Sequence, residues 1–450
     1  MSKQSLKAVA IRNSKVEVGG HVAAQAIRLV SNLILSRLLF PEAFGLSALV
    51  SILIVGMAML SDVGVEQSVI QNPRGDETRF LNTAWVLHIV RSLAIWVGAC
   101  ILSWPMAKIY GEPQLVYLVP VSALGVVIGG FASTSLFTLR RKLESTKLMW
   151  IELGSQIVSV LTVGLWAYVH PSVWALVVGG LVGAVFKSGV SHWIDVGYRN
   201  RFEWDASANA SIMTFGKWIL ASTALSFVSS QSDRLILGYY MGVATLGVYN
   251  IAMFLSEAVG SAVTRVTAGV LYPVFSQIQR ESPQRMREIY YRTRLRLDMI
   301  SLIPMGVLMI LSSSVIKMLY DARYQDAGWM MQLLCVRVAM GAVLGPMETC
   351  LFSMGQTKYG LYRNIGKTVW TLLGIPIGYY LYGIGGVVWV IALSELPVLV
   401  ILWIPFRRMG LLRPSRELLA VLIFGVGLLI GLAIHGLLEL ARPYVAHALW

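Results

Sequence analysis

Four cations stand deep inside segments that are otherwise apolar. At 1.5 Å of helix rise per residue, Arg28 lies ~16 Å into its segment, Arg91 ~15 Å, Arg337 ~14 Å and Lys367 ~12 Å. A charge held away from water is costly unless it is paired or meets a ligand of opposite sign, so each is a candidate for binding an anion. Arginine suits phosphate best, because its planar fork holds two oxygens at once. His21, Gln25, Arg28 and Asn32 are spaced 4, 3 and 4, which puts them on one stripe of a helix. Gln25, Arg28 and Asn32 therefore join Arg91, Arg337 and Lys367 as expected substrate contacts. Two acids lie equally deep, Glu257 at ~18 Å and Glu395 at ~16 Å. Either could carry a proton or hold a sodium ion, or could instead be a packing carboxylate paired with Arg265 or Lys367.

Other ionisable groups carry less weight. Asp233 and Arg234 adjoin near the end of a segment, where a local structural ion pair is expected; Ser222, Ser226, Ser229 and Asp233 share a stripe. His88 sits one turn from Arg91 and reads as a hydrogen-bonded core residue. Glu152, Asp298 and Glu348 are nearer the segment ends. Cys100, Cys335 and Cys350 all lie in apolar runs, with no Cys or His spacing that suggests a metal or a redox pair. No cofactor is expected. There is no phosphate-binding G-x-x-x-x-G-K-[ST] loop and no D-x-D pair.

The elements that must position these groups are membrane helices. Of the 450 residues 56% are hydrophobic and 13% charged, with a mean hydropathy of +0.68. Soluble domains carry roughly 25% charged residues, so this chain cannot wet a surface of its size. Segments long enough to cross a bilayer fall at 17–40, 44–62, 81–103, 114–138, 148–169, 172–194, 214–240, 245–275, 296–318, 328–353, 359–381, 384–405 and 417–438. With the amino terminus inside, Lys3, Lys7, Arg12 and Lys15, Arg74 and Arg79, Arg140 to Lys147, Arg199 and Arg201, Arg280 to Arg296, Lys358 and Arg363, and Arg407 to Arg416 face the cytoplasm. Only Lys108, Lys317, Arg323 and Arg442 fall on the other side, as the positive-inside rule requires. The formal charge of +14 is thereby explained by topology and an anionic leaflet, not by nucleic acid. The first twenty residues hold no apolar core or cleavage site, so the first span is expected to direct insertion.

An internal repeat organises the spans. Ile34-Leu35-Ser36 and Ala43-Phe44-Gly45-Leu46 align, at a constant offset, with Ile236-Leu237-Gly238 and Thr245-Leu246-Gly247-Val248. One copy opens the first span pair and the other the seventh, as in transporters built from two repeats. The expected fold is an all-α polytopic membrane protein with two six-helix lobes around a central cavity. Residues 1–194 form the N-lobe, 195–213 a cytoplasmic linker and 214–405 the C-lobe, and 406–450 supply one extra helix and a short external tail.

Leu60-Ser61-Asp62-Val63-Gly64-Val65 with Val69-Ile70-Gln71, then Tyr110-Gly111-Glu112-Pro113, resemble the polysaccharide-transporter (Wzx-like flippase) branch of the multidrug/oligosaccharidyl-lipid/polysaccharide exporter superfamily. So do Ser230-Gln231-Ser232-Asp233-Arg234-Leu235-Ile236-Leu237-Gly238, Leu246 to Ala252, and Pro273-Val274-Phe275-Ser276. The resemblance implies flipping of undecaprenyl-diphosphate-linked oligosaccharides across the bacterial inner membrane by alternating access. It also implies a polysaccharide polymerase and export machinery as partners, and a monomer suffices for a path between two lobes. Such proteins carry two extra carboxy-terminal helices, whereas one is expected here. A multidrug cation antiporter of the same superfamily is the second reading, opposed by the four central cations. A membrane glycosyltransferase or polymerase is the third, opposed by short external loops and the missing D-x-D.

Overall fold

The computed structural model describes residues 3–194, 196–266 and 271–448; side chains are described from Gly19 to Leu440, except at 195, 215, 217–218, 221–222, 225, 229–230, 232, 259 and 262–270. Lys3, Lys7, Arg12, Lys15, Ser222, Ser229, Arg265 and Arg442 thus lie outside the described side chains. The chain divides into two compact units, Met1–Gly247 and Val248–Trp450.

The first unit contains α1 (Lys3–Leu38), α2 (Pro41–Leu60), α3 (Val65–Gln71), α4 (Thr78–Tyr110), α5 (Leu115–Gly130), α6 (Ser135–Arg141), α7 (Ser145–Val169), α8 (Val173–Trp193) and the first part of α9 (Ala206–Val266). The second contains the rest of α9, α10 (Tyr272–Glu281), α11 (Met286–Leu319), α12 (Ala327–Ser353), α13 (Lys358–Ala392), α14 (Leu396–Arg408) and α15 (Pro414–Ala448). Among the described residues there is no strand.

Nine helices among the described residues are long and apolar enough to cross a membrane, or ten if the bent pair α5 and α6 counts as one. The difference from thirteen expected spans has readable causes. α9 is broken at Gly242 (φ 77, ψ 169), between the expected spans 214–240 and 245–275. α13 is broken at Tyr382 and Gly383 (φ 59, ψ −140), between 359–381 and 384–405. Both glycines occupy backbone conformations closed to other residues, and each divides one continuous helix. The expected span 114–138 is bent by 62° at 131–134. α1, whose described side chains begin at Gly19, is not among the nine.

The two repeat copies meet in the first unit. A Cβ on Gly45 would stand 1.9 Å from the carbonyl oxygen of Val243, and one on Gly247 would stand 2.0 Å from that of Pro41. The repeat offset carries Pro41 onto Val243 and Gly45 onto Gly247, so the two contacts are mutual images. The aligned glycines exist because backbone must touch backbone there.

The linker is a strap rather than a free tether. Asn200 accepts from the Ser133 hydroxyl at 2.7 Å and donates to Thr134 Oγ1 at 2.8 Å. The Tyr198 hydroxyl lies 3.0 and 2.9 Å from those of Thr134 and Thr138, and the Arg201 amide donates to Asn82 Oδ1 at 3.0 Å. Asp205 closes the strap, its carboxylate receiving Arg74 Nη2 at 2.8 Å. The Ser207 hydroxyl and Arg74 hold that carboxyl well below its ordinary range.

Candidate functional site

In the second unit the deep charges meet in pairs. Arg337 on α12 lies 2.5 Å from Glu257 on α9, and Lys367 on α13 lies 2.5 Å from Glu395. A third pair, Arg363 with Glu348 at 2.8 Å, continues the row. Helical spacing explains the row. Arg363 and Lys367 are i and i+4 on α13, while Arg337 and Glu348 are eleven residues apart, about three turns, on one face of α12. Arg363 and Arg337 also act electrostatically on Glu395. Glu395 thus keeps Lys367, the packing partner weighed for it, and Glu257 meets Arg337; Arg265 lies outside the described side chains.

Glu395 occupies a helix interruption. α13 ends at Ala392 and α14 begins at Leu396, with Pro397 in its first turn lacking the amide donor that a continuous helix needs. The carboxylate is 5% exposed, and its second oxygen has no hydrogen-bond partner. Discontinuous membrane helices are where secondary transporters bind ions and substrates.

The first unit holds a separate cavity of about 430 Å³, lined by Glu66, His88, Arg91, Arg140, Glu152 and Lys187 among others. Arg91 is engaged there: Nη2 donates to the Ala58 carbonyl at 2.5 Å, Nε to the Ser61 hydroxyl at 3.2 Å, and Nη1 lies 3.8 Å from Asp62. Arg28 is exposed and has no carboxylate partner among the described residues, while Gln25 and Asn32 are half-buried. The α1 stripe is therefore not sunk into the core of its unit. Gly20 packs against Met149 and the Ala24 carbonyl accepts from Gln156 at 2.9 Å, so α1 is held on α7 by neighbouring positions. Arg234 donates its amide to Asp233 Oδ1 at 2.9 Å and a guanidinium N–H to Gln231 at 3.4 Å. That contact is local, within one turn of α9.

Arg294 is a correction. Counted above with the basic loop residues, it is 2% exposed inside α11, 2.5 Å from Glu417 on α15 and 3.3 Å from Asp298. The Tyr291 hydroxyl donates to Glu417 at 2.8 Å. Asp298, one turn on along α11, is the signal the sequence offers; Glu417, on α15, is brought to Arg294 only by the fold.

A helix interruption beside the Lys367–Glu395 pair fits a membrane transporter, and the fold agrees. A lipid II flippase MurJ in an inward closed conformation superposes with a TM-score of 0.70 at 10% identity, over 95% of this chain and 98% of that one. An inward-facing multidrug resistance transporter of the MATE family gives 0.67 at 14% identity, over 86% and 95%. The chain belongs to the family described as polysaccharide biosynthesis protein, whose signature matches residues 34–328. It is 22% identical to lipopolysaccharide biosynthesis protein WzxC of Escherichia coli K12, over 85% of this chain and 78% of the relative. It is 21% identical to succinoglycan biosynthesis transport protein ExoT of Rhizobium meliloti, over 94% and 85%.

Proposed function

We propose that this chain flips oligosaccharide repeat units linked to undecaprenyl diphosphate from the cytoplasmic to the outer leaflet of the bacterial inner membrane. Its amino terminus is then cytoplasmic, and a polymerase and export machinery consume the product. A monomer is sufficient for this work. The observation that carries the reading is the row of carboxylates already seated on Arg337, Lys367 and Arg363. Each acid occupies the place a phosphate oxygen would take, so an arriving diphosphate exchanges with it at no net change in cation pairing. Arg28, unpaired among the described residues, makes the first contact, with Gln25 and Asn32 on the same stripe. Arg91 is available once it leaves Asp62. The displaced Glu257 and Glu395 are then neutralised by a proton or sodium ion, which couples ion movement to flipping.

The multidrug reading is weaker because the deep charge with no carboxylate partner among the described residues is a cation, Arg28, which attracts an anion and repels a cationic drug. The test is a deletion strain in which lipid-linked oligosaccharide is assayed by leaflet. Accumulation on the cytoplasmic leaflet, relieved by the wild-type chain and not by Arg337→Ala, is the expected result. Normal surface polymer in the deletion strain refutes the reading.

A further inference from the structure

The cavity of the first unit contains an ionisable group that the site above does not use. Its fixed charges are already matched. Arg91 faces Asp62 at 3.8 Å from the loop after α2, Arg140 on α6 faces Glu66 on α3 at 2.5 Å and Glu152 on α7 at 3.5 Å, and Lys187 on α8 faces Glu152 at 3.8 Å. Three acids stand against three bases. α5 contributes only Gly125, Val126 and Gly129 to the lining.

His88, on α4, is the remaining titratable side chain among the described lining residues. Its Nδ1 lies 3.3 Å from the carbonyl oxygen of Gly130. A carbonyl can only accept, so Nδ1 carries the hydrogen, and Nε2 is left as the basic atom. The ring stands edge-on to Phe137 at 5.8 Å between centroids, which fixes its plane. Half-buried, it reaches the cavity while its other nitrogen is tied to the backbone. Burial acts most on the ring, followed by the Gly130 carbonyl and then by the charges of Arg91, Glu66 and Asp62.

We propose that His88 Nε2 is a proton-binding site that couples transport to a pH gradient. A proton enters the cavity from one side, forms an N–H bond at Nε2, and later leaves as a proton; no other bond changes. Loading turns a neutral cavity into one with a single excess positive charge, one helical turn from Arg91. The acids are already engaged, so the loaded state is relieved only by re-pairing Glu66 or Asp62, or by an anion. The protonated and neutral forms therefore favour different arrangements of the first unit, which is what coupling requires. The link to transport rests on the function proposed above, whereas the proton site itself does not.

His88→Asn separates the roles, since the asparagine amide can still donate to Gly130 but offers no base. Full-length chain labelled with ¹⁵N-histidine in lipid nanodiscs is titrated from pH 4 to 9. The expected result is one resonance, absent from His88→Asn, whose Nδ1 stays protonated while Nε2 titrates. In cells, nigericin collapses the pH gradient at constant potential, and surface polymer is measured per folded molecule. Wild type should fall several-fold and His88→Asn markedly less, any remaining response belonging to Glu257 and Glu395. An Nε2 that does not titrate, or a His88→Asn response equal to wild type, overturns the proposal. Absence of any leaflet phenotype on deletion, with Nε2 still titrating, indicts the function and not the proton site.

Discussion

Lys367 and Glu395 offer the sharpest test of what the buried row does. With Nζ and Oε1 2.5 Å apart, their attraction at an effective dielectric constant of ~20 is about 6–7 kcal/mol. Taking each ion out of water costs several kcal/mol, so the pair contributes little net stability. Removing one partner is another matter. Lys367→Met leaves Glu395, 5% exposed, charged and unpaired, at a cost of about 3–5 kcal/mol. Glu395→Gln leaves the more accessible lysine with an amide in reach and should cost about 1–2 kcal/mol. The double variant contains no buried charge at this site and should recover about 2–3 kcal/mol of the summed losses. Unfolding by steric trapping in lipid nanodiscs measures all four corners of the cycle. Surface polymer per folded molecule, measured in parallel, should be lost in Lys367→Met and in the double variant alike, because both lack the cation. Losses that add within about 0.5 kcal/mol would remove the pair as an energetic unit. A stable double variant that exports normally would refute the phosphate-exchange mechanism.

Three further predictions follow from other parts of the chain. Arg28→Ala should abolish polymer export with folded protein near wild-type abundance, and Arg28→Lys should keep part of it; lost abundance with normal export per molecule would mark a packing residue. Gly45→Ala would put a Cβ 1.9 Å from a carbonyl and should destabilise the first unit by about 1–3 kcal/mol, read as a drop in thermal midpoint, with Gly247→Ala alike. The carboxyl of Asp205 is held below its ordinary range by Ser207 and Arg74, so its contribution to the strap is complete above about pH 4 and fades as pH falls further; hydrogen exchange at residues 198–207 should rise in Asp205→Ala at neutral pH and converge with wild type in acid.

The sequence made some of this legible and hid the rest for physical reasons. Depth within an apolar run sufficed to find Arg337, Lys367, Glu257 and Glu395, since lipid tolerates such groups only where structure neutralises them. It could not pair them, because pairing depends on which helix faces turn together. Arg363 reads as a basic cytoplasmic residue because it lies near a segment end, although its i, i+4 spacing to Lys367 is in plain view. Arg294 was misplaced because a basic cluster at a helix start looks like a solvated loop. Only the acids Asp298 and Glu417 converging on it mark it as interior. Helix breaks at Gly242 and Gly383 agree with the expected gaps between spans, since a hydropathy minimum beside glycine is where a chain turns. The interruption before Leu396 lies within one apolar run and is marked only by Ser394, Glu395 and Pro397.

The repeat links these observations. Similarity confined to a few residues at constant offset carries little weight as a pattern. It becomes meaningful once Gly45 and Gly247 are found seated on the backbone of each other's helix entries. A mutual contact of that kind constrains both copies at once: enlarging either glycine pushes the partner away, so neither can change alone. Side chains around the contact are freer, which explains why Phe44 and Leu246, or Leu46 and Val248, match in character and not identity. The charged row and the His88 cavity are not duplicated at the offset. His88 would map to Tyr290 and Arg91 to Thr293, so the ionisable chemistry of the two units differs. The matched pairs proposed to exchange with an anion lie in one unit, and the backbone-tied His88 proposed to take a proton lies in the other, so on that reading substrate and this proton act on separate parts of one chain.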